Sequence, residues 1–233
     1  MPVEPVPAST LILIRERRGM EVYMTRRSPD LMFLGGYYVF PGGRRDEEDF
    51  SKAALKRMFS KNLKAKAGEV DSKEPEAKRL GCYAAAIREA FEEAGVLIAC
   101  GKEGREIKPH PGLDAELAAM RSRIHGGEIS FLKMLSELDL FYDLDRLSWF
   151  AHWITPEFSP RRFDTQFFIA EIPAGRKPKG FAGEVDEEIW VKPARALARW
   201  QAGELPMIPP TAASLARLCD FKNLSEVLKK PQK

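Results

Sequence analysis

Cys82-Tyr83-Ala84-Ala85-Ala86-Ile87-Arg88-Glu89-Ala90-Phe91-Glu92-Glu93-Ala94-Gly95-Val96 is the stretch from which the rest of the chain is read. Alanine and glutamate favour a helix, nothing interrupts it before Gly95, and glycine suits the left-handed residue that closes a helix. At about 100° per residue, Tyr83, Ile87, Ala90, Phe91 and Ala94 share one face. Glu89, Glu92 and Glu93 share the opposite one, which this pattern leaves in solvent. Carboxylates three and four positions apart repel by roughly 0.2–0.5 kcal/mol per pair, and a cation would remove that cost. Hard divalent ions bind carboxylate oxygens and reach substrate phosphates through their remaining positions. The same residues also suit a merely solvated glutamate face, so the flanking sequence has to decide.

Upstream, Ala8–Arg15 and Glu21–Thr25 read as a β-hairpin, and Tyr37–Phe40 as a short strand stopped by Pro41-Gly42-Gly43. Residues 51–80 then change character, with Leu55, Met58, Phe59 and Leu63 at helical spacing before a polar run, and read as an inserted helix with a flexible tether. Downstream, residues 113–124 and 131–138 carry helical patterns. Leu147–Ile154, Phe163–Ile172 and Glu188–Val191 read as strands, and Pro193–Gln201 and Thr211–Phe221 as closing helices.

Arg88-Glu89-Ala90-Phe91-Glu92-Glu93-Ala94-Gly95-Val96 resembles the second half of the Nudix box, G-x5-E-x7-R-E-U-x-E-E-x-G-U with U apolar, and Gly43 stands as its leading glycine. Asp49 stands where the box has its first glutamate. Between Asp49 and Arg88 lie residues 50–87, where the box has seven, so the motif is split by the basic segment. Met24-Thr25-Arg26-Arg27-Ser28, Gly36 and Phe40-Pro41-Gly42-Gly43 resemble a second motif, L-T-x-R-S-x3-R-x3-G-x3-F-P-G-G, of coenzyme A diphosphatases; Met32 replaces its second arginine. Arg161-Arg162-Phe163-Asp164-Thr165-Gln166-Phe167-Phe168 and Pro209-Pro210-Thr211 are similar to segments of animal Nudix proteins with a split box.

The resemblance implies an α+β or α/β fold: a Nudix α/β/α sandwich with a mixed curved sheet, as one domain over 1–233 with insertions at about 50–80 and 101–145. It implies metal-dependent hydrolysis of a nucleoside diphosphate linked to another group, with coenzyme A or acyl-CoA cut into 3′,5′-ADP and a 4′-phosphopantetheine product. Glu89, Glu92 and Glu93 become ligands for Mg²⁺ or Mn²⁺, and Arg88 orients a carboxylate by a charge-assisted hydrogen bond. Arg26, Arg27, Ser28, Gly42, Gly43 and Arg162 become substrate-binding residues. An acidic residue from outside the box is expected among Glu184, Glu187 and Glu188, and Glu187 is taken. A pyrophosphatase of ADP-ribose, dinucleotides or nucleotide sugars is the nearest alternative, and a nucleotide- or RNA-binding regulator with weak turnover the next.

Composition bounds these readings. The 233 residues carry 37 Lys+Arg against 34 Asp+Glu, a net +3 too small for a dedicated nucleic-acid coat. The excess is concentrated in 51–80, where nine basic side chains face four acidic ones. Phe59 is the one aromatic residue there, so stacking recognition of nucleic acid is not expected. Three cysteines without CxxC spacing argue against a disulfide framework or zinc knuckle. Leu11–Ile14 is too short to span a membrane and Lys230–Lys233 matches no receptor-read address, so a cytoplasmic protein acting on a small nucleotide is expected. A homodimer is left open.

Overall fold

The computed structural model describes residues 3–107 and 110–229; residues 1–2, 108–109 and 230–233, including the tail considered above, lie outside the described residues. Strands β1 (Val6–Glu16) and β2 (Met20–Arg27) form the expected hairpin, but they pair only near its turn, from Ile14 opposite Val22 to Glu16 opposite Met20. Beyond that point they splay. β3 (Tyr38–Val39) pairs with β2 and β4 (Gly42–Arg44) with β1, so Pro41 sits where the chain crosses the fork.

The segment after β4 is folded throughout. α1 (Lys52–Lys56), β5 (Met58–Phe59) and α2 (Leu63–Glu69) lead into α3 (Glu76–Ala94), the glutamate helix, which starts six residues before Cys82. The flexible tether read from the sequence is therefore corrected. Tyr83 Oη donates to Glu69 Oε2 (2.8 Å), and Ala54, Ala67 and Val70 are buried against α3. Some of the segment's positive charge is spent on this docking: Lys66 Nζ donates to the Leu147 carbonyl and Arg57 Nη1 to that of Leu140. β6 (Ala99–Cys100), α4 (Pro111–His125), α5 (Phe131–Glu137) and β7 (Phe141–Asp143) follow, and β5, β7 and β6 make a small separate sheet.

β8 (Ser148–Ile154), β9 (Phe163–Glu171) and β10 (Val185–Val191) complete a main sheet of order β10-β2-β1-β9-β8, with α6 (Pro193–Gln201), α7 (Pro209–Leu218) and α8 (Leu224–Lys229) closing the chain. β1 and β9 run parallel and the other pairs antiparallel, so the sheet is mixed. β1 is central and fully covered. Leu11 and Leu13 pack toward α3 while Ile12 and Ile14 pack toward α7 and α8, which is why this strand is an unbroken apolar run. The result is the α/β/α sandwich expected above. Among the described residues, no helix is long and apolar enough to cross a membrane.

Candidate active site

The fork between β1 and β2 opens into a cavity of about 430 Å³. Its floor is formed by alternate residues of the sheet, among them Thr10, Thr165 and Phe167, and its far wall by the start of α7. Through the fork, Glu89 and Glu93 reach in from the helix on the other side.

α3 is buried on every side from Leu80 to Phe91, so the glutamate face is not the wet surface its periodicity implied. Arg88 and Glu89 are only 8% and 9% exposed. The helix stops at Ala94, one residue after Glu93, because Gly95 takes φ +66°, with its N–H returning to the Phe91 carbonyl. From α4, Arg121 Nε donates to the Glu92 carbonyl (2.9 Å) and its Nη1 to that of Lys179 (2.7 Å). This ties the end of the glutamate helix to the loop preceding Glu184.

Arg88 is the hub of the carboxylates. Its Nε and Nη2 each donate to Asp49 at 3.0 Å, Nη2 also donates to the Arg44 carbonyl, and Nη1 reaches Glu89 (2.7 Å) and Glu92 (3.3 Å). Asp49, 2% exposed, also accepts the Asp46 N–H at 2.8 Å. The chain thus leaves at Asp49, builds the 50–75 segment and returns Arg88 to it, so the interruption spares the ion pair. Burial opposes the charge on Arg88, and the surrounding carboxylates more than restore it.

Burial pushes Glu89 up to about 8, with Glu93 and Glu92 adding to the rise and Arg88 opposing it. Burial pushes Glu93 up to about 7 against the Gly42 N–H, which donates to its Oε2 at 2.9 Å, and against Arg27, whose Nη1 lies 3.6 Å from Oε1. Glu184 is among the charges that raise Glu93. Gly43 faces Glu89 so closely that a Cβ there would lie 2.5–2.7 Å from its carboxyl atoms. Gly43→Ala is therefore expected to displace the Glu89 carboxylate and lower kcat by up to about 10²-fold, measured at saturating substrate; an unchanged kcat would contradict this geometry.

The structure sorts the remaining sequence expectations. Arg27, Gly42, Gly43, Glu89 and Glu93 line the cavity. Glu92 shares Arg88 Nη1 with Glu89 and does not line the cavity, and among the described residues no group of three acidic, histidine or cysteine side chains is arranged to hold a metal ion. Arg26 pairs with Asp186 instead of facing the cavity. Ser28 serves a turn, its N–H donating to the Glu184 carbonyl. Glu187 accepts from Tyr38 Oη (2.6 Å) and alternates with Ile189 and Val191, which pack on the side away from α3, so it is not brought to the glutamates. Glu188, on the α3 side, accepts from Tyr23 Oη (3.0 Å). Arg162 is spent on the backbone carbonyls of Thr155 and Val3, and its neighbour Arg161 lines the cavity.

Sequence reasoning gave Phe33, Arg44 and Arg161 no part in the site and read Trp153 as core rather than as a platform for a base; all four line the cavity. Arg161 stands two residues before β9, whose Phe163, Thr165 and Phe167 line the same cavity. His110 accepts the Leu113 N–H at the start of α4, His125 stacks on Phe181, and His152 lies 2.6 Å from Asp164; none lines the cavity.

A mixed sheet between two helical layers, with a glycine loop set against a buried glutamate helix, defines the Nudix class of fold. The crystal structure of a Nudix hydrolase from Alicyclobacillus acidocaldarius superposes with a TM-score of 0.78 at 29% identity, covering 98% of this chain and 97% of that one. The NUDT19 Nudix domain pattern matches residues 80–218, and the chain belongs to that family. It is 29% identical over 242 residues to acyl-coenzyme A diphosphatase NUDT19 of Gallus gallus and 28% identical over 241 residues to that of Homo sapiens. These alignments cover 90% and 91% of this chain but 64% of each relative, so the chain spans less than two thirds of their length.

Proposed function

We propose that this chain is a metal-dependent hydrolase of a nucleoside diphosphate linked to a second group, and that its substrate is coenzyme A or an acyl-CoA, cut into 3′,5′-ADP and a 4′-phosphopantetheine product. The observation carrying this reading is the pair of buried Glu89 and half-buried Glu93, set against Gly42 and Gly43 and beside Arg27 in one cavity. The relatives' names and the Thr25-to-Gly43 motif support the narrower substrate.

Nudix hydrolases work with divalent metal ions, and the donors here fit a hard cation: two crowded carboxylates whose charged forms burial disfavours. Glu89 and Glu93 would hold Mg²⁺ or Mn²⁺, and Glu92 would join by leaving Arg88. Such an ion supplies a more acidic water and neutralises charge on the diphosphate. Around it, Gly42 and Gly43 let the backbone approach the diphosphate, Arg27 pairs with its oxygens, and Arg88 fixes the Glu89 carboxylate. Water adds to one phosphorus as the bridging P–O bond breaks, and the proton passes to a carboxylate. Glu184, whose charge raises Glu93, is a better extra-box acid for this role than Glu187, which is hydrogen-bonded to Tyr38.

We read the chain as one Nudix unit with two folded insertions, and the free thiols of Cys82, Cys100 and Cys219 fit the cytoplasm. Incubating the purified chain with CoA and Mg²⁺ or Mn²⁺ should yield both products by mass spectrometry, and a chelator should stop their formation. Intact CoA alongside cleaved ADP-ribose would overturn the substrate assignment.

A further inference from the structure

The cavity has a second pole that hydrolysis of a diphosphate does not explain. Phe33, 37% exposed, tilts against Phe163 with ring centroids 5.5 Å apart, and the Arg161 guanidinium lies 5.7 Å from the Phe33 ring centroid. Trp153, also 37% exposed, adds a second accessible aromatic surface. Arg27 joins this pole to the glutamates: its Nη1 lies 3.6 Å from Glu93 while its Nε donates to the Phe33 carbonyl at 3.2 Å. The aromatic pole is therefore one guanidinium away from the carboxylates, where the group next to a bound diphosphate must lie.

Charge says which half of the substrate that group is. Arg27 has Glu93 as a partner, whereas Arg161 forms no ion pair among the described residues. An uncharged pantetheine or acyl arm would offer that exposed guanidinium no counter-charge. The nucleotide half offers a flat base for the aromatic rings and, in coenzyme A, an additional phosphate on the ribose. Bases stack on aromatic and guanidinium planes, and arginine pairs with phosphate through parallel N–H donors.

Resting on the reading above, we infer that Phe33 and Trp153 receive the base and that Arg161 binds the ribose 3′-phosphate, making Arg161 the residue that distinguishes a 3′-phosphorylated nucleotide from its unphosphorylated counterpart. The assignment concerns binding of one product half, so it can be tested without turnover.

Isothermal titration of the full chain with 3′,5′-ADP and with 5′-AMP gives the direct comparison. The parent should bind 3′,5′-ADP roughly tenfold more tightly, as expected for one charge-assisted contact at an exposed site, and added salt should narrow the gap. Arg161→Met should bring the two ligands to equal affinity, and Arg161→Lys should restore part of the preference. Equal affinity in the parent, or the same loss for both ligands in Arg161→Met, would overturn the inference. Turnover separates it from the broader reading. A parent that shows the preference yet leaves CoA intact supports this subsite and refutes CoA hydrolysis. A parent that cleaves CoA but shows no preference refutes the subsite alone.

Discussion

Glu93→Gln should lower kcat on the diphosphate substrate by roughly 10²–10³-fold, the scale on which one preorganised electrostatic group acts. The amide keeps the shape of the side chain and can still accept from the Gly42 N–H, so the loss isolates the carboxylate charge. Stability should move the other way. Burial and neighbouring charges raise Glu93 to about 7 in the folded chain, above the ordinary carboxyl value of 4.5. A carboxyl group with a raised folded pKa binds more protons in the native state than in the unfolded state between those values, so its contribution falls as pH rises through that window. In chelator, thermal melts at pH 8 should therefore place Glu93→Gln at or above the parent, and the difference should shrink toward pH 5. A variant that loses activity and also melts well below the parent at pH 8 would show that Glu93 serves the fold.

Arg88→Met should have the opposite balance. Removing one member of a buried ion pair costs about 3–5 kcal/mol, because Asp49 is left charged and 2% exposed and Glu89 loses its partner. For a chain of this size that is a fall in Tm of roughly 6–20 °C. Adding Asp49→Asn should recover part of the loss by removing the stranded charge, without restoring turnover, since Glu89 remains unfixed. Calorimetry on the two variants checks both statements. A shift under about 3 °C for Arg88→Met would mean that the Asp49–Arg88 pair is not what rejoins the split motif.

The sequence by itself determined the glutamate helix, its glycine stop, the β1–β2 hairpin and the closing helices, because each depends on local periodicity and punctuation. It also singled out Arg27, Gly42, Gly43, Glu89 and Glu93, which line one cavity. Tertiary structure decided what local rules cannot reach. Periodicity gave α3 a wet face, yet packing buries Glu89 and half-buries Glu92 and Glu93, so the carboxylates are crowded in a way no helical wheel displays. The choice between Arg161 and Arg162 turned on where the turn before β9 sends each side chain, one to the cavity and the other to the Thr155 and Val3 carbonyls, and Glu187 is set apart by the hydrogen bond it accepts from Tyr38. The return of Asp49 to Arg88 across the folded 50–75 segment is a long-range contact. Its physical basis is a buried aspartate that needs a buried cation, and only the assembled core shows that the chain supplies one.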